Sequence, residues 1–166
     1  MKKIMFNSVV FDVDSTLVTI EGLDFIASFK GKNKQIKKLT SLSMNGGLPM
    51  REAMKIKMEA ISPNYQDIIR MGEQYIKSIT KGAVETIAVL KKNGVKVWIV
   101  TGNFQPAVGM LAKYLGISKT RVITNRIFFD KNNNYDSFDI ENPLSNNGGK
   151  ALIVNKFKSK MGRTVF

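Results

Sequence analysis

Two short apolar runs, far apart in the chain, constrain its fold more than any other feature. Ser8-Val9-Val10-Phe11 stops at Asp12, and Val95-Lys96-Val97-Trp98-Ile99-Val100 stops at Thr101-Gly102-Asn103. Both are too short for a buried helix and rich in β-branched residues, so each reads as a buried strand. A helix is expected from Ala83 to Lys92, closed by Asn93-Gly94, and another from Gln105 to Leu115, stopped by Gly116. Arg121 to Thr124 reads as a third strand. Strands that alternate with helices require right-handed crossovers and a parallel sheet, which makes this an α/β fold.

The stretch from Gly22 to about Ile79 breaks that rhythm. Leu23, Ile26 and Ala27 recur at helical spacing, as do Ile36, Leu39 and Leu42, then Met50, Met54 and Met58, and finally Ile68, Tyr75 and Ile79, with Pro63 near the first turn of the last helix. No strand pattern interrupts them, so a small all-helical subdomain is inserted after the first strand. Further on, Ile127 to Asp139, with Asn132-Asn133-Asn134 at its tip, reads as a β-hairpin. Asn146-Asn147-Gly148-Gly149 leads into a basic helix from Lys150 to about Lys160, and Thr164-Val165-Phe166 begins a fourth strand. The expected division is a discontinuous core, residues 1–20 and 80–166, with a helical cap at 21–79.

Absences narrow the chemistry. The 166 residues contain no cysteine and no histidine. Thiolates, cysteine–zinc sites and imidazole bases are excluded, leaving carboxylates, hydroxyls, lysines and backbone groups. Those hard oxygen donors suit magnesium and not zinc. No apolar run is long enough to span a membrane. Met1-Lys2-Lys3-Ile4-Met5-Phe6 imitates a signal-peptide opening, but Asn7, Ser8 and Asp12 break it, and a cytoplasmic protein is expected. The formal net charge of +13 points to anionic partners or to a lysine-rich background. The lysines are scattered and not interleaved with aromatics, so nucleic acid is not the expected partner.

Ligands of open parallel sheets gather beyond the carboxyl ends of the strands. Asp12 and Asp14, at positions i and i+2 of an extended segment, can flank one site there. Two carboxylates that close need a cation or a shared proton. Both conditions serve phosphoryl transfer: an ionised, metal-bound Asp12 can attack phosphorus, and a protonated Asp14 can donate to the leaving oxygen.

Asp12-Val13-Asp14-Ser15-Thr16-Leu17-Val18, followed by Glu21 and Asp24, resembles the opening of phosphoserine phosphatases of the haloacid dehalogenase superfamily. The resemblance continues through Met44-Asn45-Gly46-Gly47, Ile99-Val100-Thr101-Gly102-Asn103-Phe104, Asn125-Arg126 and Gly148-Gly149-Lys150. It implies a Rossmann-like core with a helical cap, and a magnesium-dependent phosphomonoesterase working through an aspartyl-phosphate. The substrate implied is a small phosphorylated metabolite, O-phosphoserine being favoured. It implies Asp12 as nucleophile and magnesium ligand, and Asp14 as acid/base with its backbone carbonyl on the metal. Thr101 and Gly102 bind phosphate at a strand-to-helix turn, where free amides and a helix dipole attract anions. Lys150 neutralises phosphate and steadies the nucleophile. Glu21 meets a substrate ammonium group, although an acid there also suits a helix N-terminus.

Three departures bear on that reading. Lys57 stands at the family's carboxylate-binding arginine and lacks its bidentate fork. Arg51, six residues earlier, could serve only if the helices were shifted. Asn103 replaces a usual glycine. The family's Gly-Asp-Gly-x-x-Asp segment, which completes the metal site, is not found among these 166 residues. The expectation is therefore an incomplete core, either as a fragment or as a short form that dimerises over the exposed sheet, with apolar surface uncovered around Val95–Val100 and Val165-Phe166. Weak magnesium binding and little turnover follow. A phosphatase for another small metabolite and a catalytically dead binding module are the alternatives.

Overall fold

The computed structural model describes residues 6–166. The signal-like opening weighed above lies, but for Phe6, outside the described residues. The chain runs β1 (Ser8–Phe11), α1 (Gly22–Phe29), α2 (Asn33–Met44), α3 (Met50–Ile61), α4 (Tyr65–Lys77), α5 (Ala83–Lys92), β2 (Lys96–Phe104), α6 (Ala107–Tyr114), β3 (Val122–Asn125), β4 (Ile127–Phe129), β5 (Tyr135–Phe138), α7 (Gly149–Lys156), α8 (Lys158–Met161) and β6 (Thr164–Val165). The α/β fold with a parallel sheet is as expected from the sequence. Strand order is β3-β2-β1-β6, and the register of β1 on β2 runs from Ser8↔Lys96 to Phe11↔Ile99. β4 and β5 form the separate antiparallel hairpin foreseen at Ile127–Asp139.

β2 shows why its sequence is a continuous apolar run. Val97 and Ile99 face one hydrophobic cluster, with Val108, Leu111 and Leu17. Trp98 and Val100 face a second, with Val10, Leu144, Ile153 and Met161. Successive side chains of a strand point to opposite faces, so a strand covered on both sides has no polar face. Each such side chain contributes roughly 1.5–3 kcal/mol by leaving water. This corrects the expectation of uncovered surface here: Val95, Val97, Trp98, Ile99 and Val100 are all buried. Val165 and Phe166 are exposed, as expected.

The helices α1–α4 leave and rejoin the sheet at one point. Val18 and Ile79 form an antiparallel bridge, flanked by Thr19 N–H donating to the Ser78 carbonyl at 2.8 Å and Thr80 N–H to that of Leu17 at 2.9 Å. The helices do not keep a core of their own. Ile26, Met58, Ile68 and Met71 join the same cluster as Val97 and Ile99. α4 starts later than Pro63 suggested, at Tyr65. A capping box closes it, with the Asn64 side chain accepting from Asp67 N–H and the Asp67 side chain from Asn64 N–H, both at 2.9 Å.

Three boundaries differ from the sequence reading. β2 continues past Val100 to Phe104, because Thr101, Gly102 and Asn103 stay on the strand as a bulge. α6 begins at Ala107 and not Gln105. The basic helix breaks at Phe157 into α7 and α8, where Phe157 turns its ring toward Trp98, 6.3 Å between centroids.

Candidate active site

Asp12 follows the last residue of β1, with its backbone still extended, and its Oδ1 accepts from Val13 N–H at 2.8 Å. The chain then turns sharply. Ser15, just beyond both acids, adopts a left-handed conformation (φ 53°). Asp12 and Asp14 (φ −62°, ψ 134°) both keep extended backbone, and both acids reach the same cavity. Asp12 turns to the sheet side, where its Oδ2 is paired with the ammonium of Lys150. Asp14 turns toward the helices. Its Oδ1 accepts from the Tyr75 hydroxyl at 2.6 Å, and its Oδ2 from Gly22 N–H at 2.8 Å. Separate partners thus hold the two carboxylates.

Lys150 owes its place to the glycines before it. Gly148, left-handed at φ 76°, caps α7. Gly149 lies so close to the Pro143 carbonyl that no side chain fits. The 3₁₀ turn Pro143–Ser145 is anchored in turn to β3: Asn125 Nδ2 donates to Ser145 Oγ at 2.8 Å, and Ser145 Oγ to the Asp139 carbonyl at 3.1 Å. Asn125 and Ser145 are fully buried, so these bonds satisfy groups that water cannot reach.

Thr101 and Gly102 lie in the β2 bulge. Val100 pairs with Ile123 and Phe104 with Asn125, so Thr101, Gly102 and Asn103 all face the single residue Thr124. Bulges re-aim side chains beside active sites. The strand-to-helix turn inferred at Thr101-Gly102 is therefore corrected: the helix that opens at the cavity is α7, whose first turn carries Lys150. Thr101 is buried, and its Oγ1 accepts from Asn103 N–H at 3.3 Å.

One cavity of about 360 Å³ is lined by Asp12, Asp14, Thr101, Gly102 and Lys150 from the sheet side, and by Glu21 and Lys57 from the helical side. Every site residue expected from the sequence is brought together there. Glu21 sits at the N-cap of α1 without capping it; its Oε1 accepts from Ser15 Oγ at 2.7 Å. Lys57 comes from α3. Arg51 is drawn away to pair with Glu141 and does not line the cavity. Asp24 lines it too, held by Thr40 Oγ1 at 2.8 Å. Met44 is largely exposed and lines the cavity with Met50 and Met54.

Electrostatics divide the acids. Burial pushes the Asp14 carboxyl up to about 6, against the opposing pull of hydrogen bonds from Tyr75 and the Gly22 amide; Glu21 adds to the rise and Asn103 opposes it. Burial lowers the pKa of Lys57 below its ordinary value, with Asp24, Glu21 and Asp14 pulling it back up. Burial, then the neighbouring Asp14, pushes Tyr75 well above the ordinary phenol range, so it remains a donor. Among the described residues no group of three or more histidines, cysteines or carboxylates could hold a metal. The donor chemistry still suits magnesium, which binds through one or two carboxylates and leaves its other positions to water and phosphate.

Sequence reasoning missed Tyr75 and treated Asn103 only as a departure. Tyr75 falls at an apolar helix position and gives no polar signal. Asn103 was legible as a polar side chain beyond a buried strand.

The pattern of the haloacid dehalogenase-like hydrolases matches residues 9–161. A phosphoserine phosphatase of Drosophila melanogaster is 34% identical over 146 residues, 88% of this chain and 54% of that protein. One from Rattus norvegicus is 32% identical over 154 residues, 93% of this chain and 68% of that protein. The chain thus spans about half of the first relative and two thirds of the second. A crystal structure of a phosphoserine phosphohydrolase-like protein from Francisella tularensis subsp. tularensis SCHU S4 superposes with a TM-score of 0.83 at 25% identity, covering 95% of this chain and 76% of that one. A phospho-aspartyl intermediate analogue of phosphoserine phosphatase superposes at 0.77 with 29% identity, covering 93% and 72%. The chain belongs to the haloacid dehalogenase-like hydrolases, with phosphoserine phosphatases among its relatives.

Proposed function

We propose that the chain is a magnesium-dependent phosphomonoesterase that forms an aspartyl-phosphate on Asp12 and acts on a small amino-acid phosphate, O-phosphoserine being favoured. The observation that carries this reading is the arrangement of the two acids: Asp12 faces a lysine, whereas Asp14 is half-buried between Tyr75 and the Gly22 amide, with its carboxyl pushed up to about 6. Two carboxylates whose environments differ this way divide into nucleophile and acid/base. In this reading residues 21–79 are the cap, residues 1–20 and 80–166 the core, and the protein works in the cytoplasm. Among the described residues no helix is long and apolar enough to cross a membrane.

In the first half-reaction an Asp12 oxygen bonds to phosphorus as the ester P–O bond breaks, and Asp14 hands its proton to the departing alkoxide. In the second, Asp14 takes a proton from water while the water oxygen bonds to phosphorus. The acyl-phosphate P–O bond breaks, releasing phosphate and restoring the Asp12 carboxylate. Lys150 offsets phosphate charge and holds Asp12 in place, while Thr101 and Gly102 line the phosphate end. The Asp12 carboxylate and the Asp14 backbone carbonyl would hold magnesium, which when bound screens the attacking carboxylate from the phosphate dianion.

At the substrate's other end Glu21 faces an ammonium and Lys57 a carboxylate. A second reading, a phosphatase for another small aminated phosphometabolite, draws on the acids around Lys57 and on the removal of Arg51 to Glu141. Phosphate release from O-phosphoserine, with and without a chelator, tests the reading. Release that needs magnesium and vanishes in Asp12→Asn supports it, and release that survives Asp12→Asn contradicts it.

A further inference from the structure

We infer that Tyr75 is a positioning residue for Asp14: its hydroxyl fixes the carboxylate that passes the proton to the leaving oxygen, and so acts on the chemical step and not on substrate binding. The inference rests on the reading of Asp14 as acid/base. Tyr75 lies on α4 and is fully buried, with its hydroxyl 2.6 Å from Asp14 Oδ1. It does not line the cavity, so it touches Asp14 and not the substrate. The second carboxylate oxygen is held from another helix, by the Gly22 amide at the start of α1. With a donor on each oxygen from two separate elements, the carboxylate cannot rotate freely, and its remaining lone pairs keep one direction.

The local sequence is arranged around this contact. Gly22 is buried, and a Cβ there would run into the Tyr75 hydroxyl and lie 2.6 Å from Met71 Sδ. Only glycine lets α1 start close enough for its amide and the phenol to share one carboxylate. Nothing in the packing of α4 calls for a hydroxyl at position 75. Phenylalanine would fill the same apolar space, and a buried hydroxyl costs about 1–3 kcal/mol unless it is paired. The hydroxyl therefore answers to Asp14. A general acid must reach its target to within hydrogen-bonding distance, and a misplacement of about 1 Å costs up to roughly 10²-fold in rate.

Tyr75→Phe separates positioning from simple structural support. An alkyl leaving group, as in O-phosphoserine, needs the proton from Asp14, whereas the p-nitrophenolate of p-nitrophenyl phosphate departs without one. The variant should slow the phosphorylation of Asp12 by O-phosphoserine about tenfold or more in a single turnover with KM unchanged, and leave the burst rate of p-nitrophenolate release as it is, since only the second step then calls on Asp14. A parallel loss in the p-nitrophenolate burst rate, or no loss in the phosphorylation rate with O-phosphoserine, would overturn the assignment. A second readout does not depend on turnover. In wild type the Gly22 amide proton is hydrogen-bonded to Asp14; in Tyr75→Phe its resonance should move upfield and its solvent exchange accelerate. An unchanged Gly22 resonance would show that Asp14 is held without Tyr75 and would refute the proposal. If wild type hydrolyses neither ester, the phosphatase reading falls, and the Gly22 resonance alone decides whether Tyr75 holds Asp14.

Discussion

The ammonium of Lys150 meets Oδ2 of Asp12 across 138 residues of sequence, at the opening turn of α7. Both side chains keep substantial access to solvent, 30% and 26%. That partial exposure separates two roles that a buried pair would merge.

A half-exposed ion pair contributes about 0–1 kcal/mol to stability. Loss of a cation aimed at developing phosphate charge, by contrast, costs about 10²–10³-fold in rate. Lys150→Met should therefore melt within a few degrees of wild type while losing phosphate release by that factor. Calorimetry and a phosphate assay on the same sample check both halves.

Lys57 should show the opposite balance. Burial holds its folded pKa below the ordinary 10.5 that the unfolded chain keeps. Between those two values the unfolded state binds more protons, so stability rises with pH through that window. At neutral pH the charged lysine is thus a cost to folding, and Lys57→Met should raise the melting temperature. The gain should shrink as the pH climbs toward 10.5, while KM for O-phosphoserine rises because a cation has gone. Thermal melts across pH, paired with KM values, test the sign.

Gly22→Ala places a methyl group against the Tyr75 hydroxyl and Met71. Overpacking of this kind costs about 1–3 kcal/mol. Part of that cost should disappear when Tyr75 is already phenylalanine, since the hydroxyl is the nearest obstacle. Urea midpoints for the two single variants and the double variant should be non-additive. Additive losses would mean that the two residues are not in contact.

What the sequence made legible follows from how local each signal is. The β1 and β2 runs, the capped helix α5 and the Asn132–Asn134 hairpin tip depend on neighbouring residues, and the structure reproduces them. Asp12 and Thr101 could be named because the two apolar runs stop at them, and Lys150 because Gly148-Gly149-Lys150 resembles a family motif. The failures are long-range. Whether Thr101 to Asn103 turn or stay on β2 depends on pairing with β3, some twenty residues later. The coverage of β2 on both faces needs Leu144, Ile153 and Met161, whose packing no window around β2 displays. Tyr75 reaches Asp14 from 61 residues away, and at an apolar helix position a tyrosine looks like core.

The central claim is that phosphorus becomes bonded to Asp12. Wild-type protein mixed with O-phosphoserine and magnesium, quenched in acid within the first turnover, can be digested and its peptides weighed. One phosphoryl group on the peptide containing Asp12, lost on alkaline treatment and absent in Asp12→Asn, is the predicted result. A phosphoryl group on another residue, or phosphate released with Asp12 never modified, would contradict the account.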